Sequence, residues 1–146
     1  MQLSKALDAT QTALLASQFS GGFIRLFSGA PPTSPDRSET GTLLGIVTVN
    51  GLGGAGLHFS ASGAVLAKAD EAWLFRALAT GIVGWFRLVQ PADTGANDLT
   101  ALRIDGSVGT ADAHGDMQWV DLNVTSGLVY TLDSFLYLIQ PVGDAP

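Results

Sequence analysis

The sequence contains no cysteine among its 146 residues, and only 14% of them carry a charged side chain. The absence of cysteine excludes a disulfide framework, thiolate chemistry and zinc–thiolate sites. The charged fraction lies below the roughly 25% of an ordinary soluble domain, whereas 47% of the residues are hydrophobic. This balance favours a subunit that buries surface against partners over a free monomer.

Grouped basic residues are absent as well. The seven lysines and arginines are scattered singly, and the net charge is −6. Because phosphate contacts need clustered Lys and Arg, we expect no nucleic-acid partner. No run approaches the roughly 18 consecutive apolar residues of a membrane helix, so we expect no membrane-spanning segment. The first residues lack the apolar region of a signal peptide, which predicts cytoplasmic synthesis.

What the sequence does have is a strand pattern at residues 81–90, with the letters GIVGWFRLVQ. Apolar side chains alternate on both faces, with Ile82, Phe86 and Leu88 on one and Val83, Trp85 and Val89 on the other. A strand with two apolar faces is covered above and below, so we expect a central strand. Gly84 would leave room for a neighbouring strand. Arg87 needs a carboxylate or carbonyl partner, and we interpret it as a structural hydrogen-bonding residue.

Residues 2–17 have the pattern of a helix that ends at Gly21-Gly22. Its apolar stripe contains Leu3, Leu7 and Leu14. Two interpretations remain open. The helix packs on its own domain, or it is an arm that docks on a neighbouring subunit.

The remainder consists of short strand patterns separated by glycine and proline. We expect strands near residues 23–28, 43–49, 57–60, 72–78, 81–90, 100–104, 117–122 and 128–140, with Asp105-Gly106 as a turn. Residues 62–80 are ambiguous between helix and strand. Asp133 and Ser134 indicate a bulge or an edge in the last strand. The predicted fold is all-β, a β-sandwich of jelly-roll type with about eight strands. The helical segment covers residues 1–20, and a single β-sandwich domain covers 21–146.

Three patterns suggest chemistry, and each has a simpler explanation. Residues 51–56 match G-x-G-x-x-G, but strand alternation rather than a helix follows, so we interpret them as an interstrand loop. Asp112, His114 and Asp116, with Asp105 nearby, are too few for a regular calcium or zinc site and favour a solvated acidic turn. His58 fits a partly buried strand residue. No G-x-S-x-G nucleophile motif is present. We therefore expect no catalytic residue, no metal and no cofactor.

Aromatic residues on a β-sandwich can also stack on sugar rings. The candidates are Trp73, Trp119, Tyr130 and Tyr137. With aromatics at only 8% of the chain, most are needed for the core. A carbohydrate-binding module is therefore an alternative function.

Several stretches together resemble the small structural proteins of tailed-bacteriophage virions. They are Gly21-Gly22 after the helix, the strand at residues 23–27, Ser28-Gly29-Ala30-Pro31-Pro32, Thr40-Gly41-Thr42-Leu43-Leu44, Gly84-Trp85-Phe86-Arg87 and Asp105-Gly106-Ser107-Val108-Gly109-Thr110. The resemblance covers residues 21–140 and is one of pattern rather than of a catalytic signature.

The resemblance implies a non-enzymatic head decoration or cement protein. Such a protein sits on the capsid surface, bridges major capsid protein subunits, and associates as dimers or trimers. We predict that partners contact the helix, the proline loop and the glycine-rich loop, through Leu3, Leu7, Leu14, Pro31, Pro32, Pro35, Leu52 and Leu57. The alternative within the virion is a neck or tail adaptor or a tube component.

The substitution Trp85→Ala tests the central-strand interpretation. Truncating a buried indole leaves a cavity, so we expect a loss of about 3–5 kcal/mol in the free energy of unfolding. Urea denaturation of the purified variant measures this loss. A folded Trp85→Ala protein with near-wild-type melting would contradict the interpretation.

Overall fold

The computed structural model describes residues 4–51, 55–113, 115–133 and 135–138, which form one helix, a short 3-10 helix and eleven strands. Helix α1 spans Lys5–Gln18 and the 3-10 helix spans Ala111–Ala113. The strands are β1 (Phe23–Ser28), β2 (Leu43–Val49), β3 (Phe59–Ser62), β4 (Val65–Lys68), β5 (Trp73–Arg76), β6 (Gly81–Val89), β7 (Arg103–Gly109), β8 (Met117–Gln118), β9 (Asn123–Val124), β10 (Val129–Leu132) and β11 (Leu136–Leu138).

Local signals define both ends of helix α1. The Ser4 side chain accepts a hydrogen bond of 3.1 Å from the Leu7 N–H and caps the first turn. At the other end the chain turns at Gly21, whose φ of 80° suits a glycine, and the Gly22 N–H donates to the Phe19 carbonyl at 2.9 Å. The predicted helix is therefore confirmed for its described part.

Most strands belong to one large sheet of eight strands. Their order is β10-β5-β2-β1-β6-β7-β8, and β9 pairs with the beginning of β6. Neighbours are antiparallel except β7 and β8, which run parallel. Strand β6 thus lies between β1 and β7, near the middle of the sheet. The prediction of a central strand in residues 81–90 is confirmed.

A small sheet with the order β11-β4-β3 forms the second layer, and helix α1 lies against β3 and β4. One hydrophobic core joins the two sheets. Its completely buried side chains include Ile24, Leu26, Leu66, Trp73, Phe75 and Leu88. Burying a side chain of this size contributes about 1.5–3 kcal/mol to stability.

An aromatic cluster links the two layers of this core. Phe135 lies between β10 and β11, and its ring is 5.9 Å from the rings of Phe59 and Trp73 and 6.2 Å from that of Phe86. Aromatic pairs at these distances add stability beyond their buried area. The predicted all-β sandwich with a short N-terminal helix is therefore confirmed. The jelly-roll connectivity and the division into residues 1–20 and 21–146 stay predictions.

The segment predicted as one strand at residues 128–140 is two strands. Strand β10 pairs with β5 of the large sheet, whereas β11 pairs with β4 of the small sheet. The chain changes sheets after Leu132, where Asp133 is exposed and Phe135 enters the core. The irregularity expected at Asp133 is thus a change of layer. Residues 62–80, ambiguous in sequence, contain strands β4 and β5.

The predicted turn at Asp105-Gly106 is wrong, because both residues lie inside β7. Gly106 pairs with Phe86, and a Cβ atom there would lie 2.5 Å from the Phe86 ring. Gly106 is therefore required by the packing of an aromatic ring on the next strand, and not by a turn. The strand predicted at residues 117–122 is also interrupted, since only Met117–Gln118 and Asn123–Val124 pair.

Gly84 allows a close approach of backbone, as predicted. A Cβ atom at this position would lie 2.1 Å from the Gly29 carbonyl oxygen, just beyond the end of β1. The pairing register of β1 and β6 shifts here, between Phe27 and Ser28. The shift accompanies a change of side: Val83 belongs to the main core with Phe86 and Leu88, instead of sharing the face of Trp85.

Substitution of Gly84 by alanine should destabilise the domain strongly. The added methyl group meets backbone, which cannot move without disturbing β1, so we expect a loss of about 3 kcal/mol or more in the free energy of unfolding. The matched control is Gly81→Ala in the same strand. Its nearest contact is the flexible end of Leu44 at 3.1 Å, so we expect a smaller loss. Thermal melting of both variants checks this, and equal melting temperatures would contradict it.

Candidate functional site

Arg87 is the most deeply buried charge in the described chain, with 0% of its side chain exposed. Its Nε and one terminal nitrogen donate to the two Asp105 carboxylate oxygens, at 2.7 and 2.9 Å. The other terminal nitrogen donates to the carbonyls of Arg37 at 2.8 Å and Gly95 at 3.4 Å. The sequence prediction that Arg87 is a structural hydrogen-bonding residue is confirmed.

The Arg87 guanidinium also lies over one ring of a small aromatic stack. The indole of Trp85 stacks on Phe27 with ring centres 4.5 Å apart, and the Arg87 guanidinium lies 5.4 Å from the Trp85 ring centre. Trp85 and Phe27 are buried but lie outside the main core. They occupy the other face of the large sheet, under the two loops whose carbonyls bind Arg87. A cation on an aromatic face stabilises such an arrangement further.

Two further ion pairs hold the same loops, which we name the proline loop (residues 29–42) and the second loop (residues 90–102). Arg103 binds the Asp93 carboxylate at 2.6 and 2.7 Å and also donates to the Pro35 and Ala96 carbonyls. Arg25 binds Glu39 at 2.6 and 3.0 Å. Together with Arg87–Asp105, these pairs form what we name the arginine network.

The electrostatics of the Arg103 pair shift both partners toward their charged forms. The hydrogen bonds from Arg103 lower the pKa of Asp93, against the opposing effect of burial, and the Gly95 N–H and the Arg103 charge lower it further. The same hydrogen bonds raise the pKa of Arg103. The pair is thus an ionised, structural contact.

Direct hydrogen bonds join the two loops to each other. Ser38 and Asn97 exchange two bonds, from each backbone N–H to the other side chain, at 2.7 and 3.1 Å. The Asp98 N–H donates to the Asp36 carbonyl at 2.9 Å. Both loops are therefore held as one unit on the sheet, despite lacking regular secondary structure.

The predicted partner contacts fall into three groups. Leu7 and Leu14 are 43% and 57% exposed, Pro31 and Pro35 are exposed, and Pro32 is half-buried. Leu57 is completely buried and bridges to Gly22, so its side chain offers no surface to a partner, and we remove it from the contact set. Leu3 and Leu52 lie outside the described residues.

The helix uses a different stripe for its own domain than the one predicted from its leucines. Thr12 is completely buried, and Leu15 and Ala16 pack against the core. The Thr12 hydroxyl donates to the Asp8 carbonyl at 2.9 Å, which satisfies it inside the helix. The helix therefore packs on its own domain. Its docking on a neighbouring subunit stays a prediction, for which Leu7 and Leu14 are on the surface.

Four further apolar side chains are exposed that the sequence did not predict as contacts. They are Leu78, Ile82, Leu128 and Val129, each between 47% and 60% exposed, and Ile82 lies where β9 pairs with β6. Ile82 alternates with Phe86 and Leu88 and was therefore assigned to a covered face. It lies on the other side of Gly84, where the pairing register of β1 and β6 shifts. Alternation alone does not show at which residue a strand face stops being buried by the rest of the protein.

His58 lies just before β3, and 54% of its side chain is exposed. It is therefore more exposed than the partly buried strand residue that the sequence predicts. Its backbone N–H and the Trp73 indole both donate to one Glu71 carboxylate oxygen, at 2.7 and 2.9 Å, and its ring Nδ1 lies 3.0 Å from the other. Burial raises the pKa of Glu71, but these hydrogen bonds and the histidine outweigh it and leave the pKa below its usual value. Glu71 therefore connects β3 to β5.

The acidic turn does not form a metal site among the described residues. Asp105 is committed to Arg87, and Asp116 accepts from the N–H and the hydroxyl of Ser107, at 2.9 and 3.2 Å. In the described ranges no three His, Cys, Asp or Glu side chains are grouped as ligands for a cation. His114 lies outside them.

The aromatic residues that the sequence offers for stacking on sugar rings differ in exposure. Trp73 is completely buried, whereas Trp119 and Tyr130 are half-buried and line an open cleft of about 340 Å³ beside β10. The side chain of Tyr137 is not among those described.

The glycine-rich stretch leads into β3 rather than into a helix. Its last residue, Gly56, lies against the Gly21 backbone, since a Cβ atom there would come within 1.9 Å of the Gly21 carbonyl oxygen. The residues described here therefore match an interstrand connection. In the same described part, none of the helices has the length and apolar character needed to cross a membrane.

Comparisons of the sequence with protein-family models and curated proteins, and of the structure with solved structures, find no match. The resemblance to phage virion proteins consequently stays a prediction.

Protonation of Asp93 should weaken the fold at acid pH. Its pKa is lowered in the folded state, so its contribution is fully present above the unfolded pKa of about 4 and is lost as the pH falls through the lower folded value. We expect Asp93→Asn to cost about 2 kcal/mol at pH 7 and clearly less near pH 2.5. Urea unfolding at both pH values measures this.

Asp112→Asn is the matched control, because Asp112 is an exposed carboxylate on the 3-10 helix. Its effect should be small at both pH values. A cost of Asp93→Asn that does not change with pH would show that the ion pair does not set the acid sensitivity.

Proposed function

We propose that this protein is a non-enzymatic structural component of a phage virion, namely a decoration or cement protein that bridges and stabilises major capsid protein subunits. The observation that carries the proposal is the exposed leucine stripe of helix α1. Leu7 and Leu14 face away from the domain, although the opposite side of the same helix is anchored in the core. An apolar stripe on an anchored helix is a surface suited to a partner.

The proline loop is the second proposed contact surface. The arginine network and the bonds to the second loop hold its backbone in place. A loop that is already ordered loses little conformational entropy on binding, so a modest contact area suffices for useful affinity. Pro31 and Pro35 lie exposed on this loop.

A cement function also fits the electrostatics. The net charge of −6 disfavours contacts with DNA and keeps decorated particles from adhering to one another. Many weak contacts repeated by capsid symmetry add up to strong attachment. The proposed location is the capsid surface after synthesis in the host cytoplasm, the proposed partner is the major capsid protein, and the proposed self-association is a dimer or trimer.

A neck or tail adaptor or a tube component would use the same surfaces at lower copy number. Quantitative densitometry of purified particles distinguishes these locations. A copy number comparable to that of the major capsid protein supports the head location, and a copy number comparable to that of tail proteins supports the alternative.

Co-sedimentation with empty capsids tests the cement proposal. We expect the wild-type protein to sediment with capsids, and the variants Leu7→Ser and Leu14→Ser to bind about tenfold more weakly each, because each loses apolar area buried against the capsid. Their melting temperatures should stay close to wild type, since both side chains are largely exposed.

Val120→Ser serves as the matched control, because Val120 is an apolar residue that is fully exposed and remote in sequence from the helix. Its binding to capsids should equal that of the wild type. Wild-type protein that stays in the supernatant at every capsid concentration would refute the proposal.

A further inference from the structure

We propose that the cleft beside β10 is a binding site for a neutral glycan, a function that goes beyond capsid binding and does not depend on it. The cleft has a volume of about 340 Å³ and lies between two segments, residues 118–121 and 130–133. Trp119 and Tyr130 supply its aromatic wall, and Gln118, Thr131, Asp121 and Asp133 supply polar groups. Apolar ring faces beside hydrogen-bonding side chains match the two kinds of surface that a sugar ring presents.

The aromatic wall is held firmly from behind. Tyr130 stacks on the buried Phe75 with ring centres 5.4 Å apart, and Trp119 lies 5.9 Å from the same ring. The Trp119 backbone N–H donates to the Gly109 carbonyl at 2.9 Å, and the Tyr130 hydroxyl accepts from the Thr125 backbone N–H at 2.8 Å. A preorganised wall of this kind loses little entropy when a ligand binds.

The orientation of the indole favours stacking over hydrogen bonding. Its Nε1 atom is buried and has no hydrogen-bond partner within the described residues. A ligand in the cleft would therefore meet the carbon atoms of the ring. The C–H face of a pyranose is the part of a sugar that packs on such a surface, whereas its hydroxyls need the polar groups at the rim.

The charged side chains that line the cleft determine which classes of glycan can bind. Hydrogen bonds from the Asn123 backbone N–H and side chain, at 2.9 and 2.8 Å, lower the pKa of Asp121, which is therefore ionised at neutral pH. Its Oδ1 atom receives both bonds, which leaves Oδ2 for a sugar hydroxyl. No lysine or arginine is among the described residues that line the cleft. Carboxylates without a balancing cation repel anionic ligands, so phosphorylated, sulfated and uronic-acid glycans should bind poorly.

Titration with defined oligosaccharides tests the proposal on the full chain. The probes are maltohexaose, cellohexaose and fully N-acetylated chitohexaose as neutral ligands and a sulfated dextran oligomer as the anionic one, measured by calorimetry at neutral pH. We expect at least one neutral oligosaccharide to bind and the sulfated one to bind at least tenfold more weakly. Trp119→Leu should lower the affinity at least tenfold, because leucine keeps the apolar contact with Phe75 but offers no aromatic face.

Two further variants keep the test decisive. Gln118→Ala changes an exposed rim residue and should weaken neutral-glycan binding even if Trp119→Leu does not fold. Leu99→Ala, at an exposed residue of the second loop, should leave the affinity unchanged. The proposal is overturned if no neutral oligosaccharide binds, if the sulfated probe binds equally well, or if Gln118→Ala and a folded Trp119→Leu both bind like the wild type. Capsid binding is measured separately, so either proposal can fail without the other.

Discussion

A buried cation organises the sheet and its loops. The Arg87 guanidinium has no exposed area, so it must find its hydrogen-bond partners inside the fold. Asp105 across the β6–β7 pair provides two of its hydrogen bonds, and carbonyls of the proline loop and the second loop provide the others. Strand register and loop placement are therefore coupled through one side chain, because a shift in either would leave a buried charge without partners.

This coupling explains how segments without regular secondary structure are held in place on the sheet. The proline loop has no ladder of its own, yet three arginines tie it to the sheet. Arg87 and Arg103 donate to two of its backbone carbonyls, and Arg25 forms an ion pair with its Glu39. Surface ion pairs contribute little, but pairs shielded from water fix geometry. The arginine network thus holds the loop that carries the exposed prolines. Helix α1 is anchored separately by its packing on the core, and the aromatic wall of the cleft by Phe75. Helix α1 lies against β3 and β4, whereas residues 118–121 and 130–133 line the cleft, so the proposed capsid contact and the proposed glycan site use different residues.

Period-two alternation located the central strand, and the single charge in that apolar run identified Arg87 as a residue in need of partners. In the same strand it misplaced Ile82 and Val83, because alternation does not reveal the shift in register at Gly84. The Asp-Gly turn signal misassigned Asp105-Gly106, because the same dipeptide occurs where the glycine is required by an aromatic ring on the next strand. Strand patterning also joined β10 and β11 into one strand, since both are rich in β-formers and their separate sheets leave no local signal. For the candidate sites, the exposed leucines of the helix were predictable as a stripe. The burial of Leu57 was not.

The sequence by itself determined the all-β class, the N-terminal helix, the central strand and the low charge, because these depend on composition and on periodicities of a few residues. Only the tertiary structure decided which apolar stripe of the helix faces the domain, which carboxylate pairs with each arginine, and which aromatic residues stay accessible. Arg103 and Asp93 are ten positions apart, whereas Arg87 also binds the carbonyl of Arg37, fifty positions away. Such contacts arise from strand order, and strand order depends on how all the apolar faces are buried together.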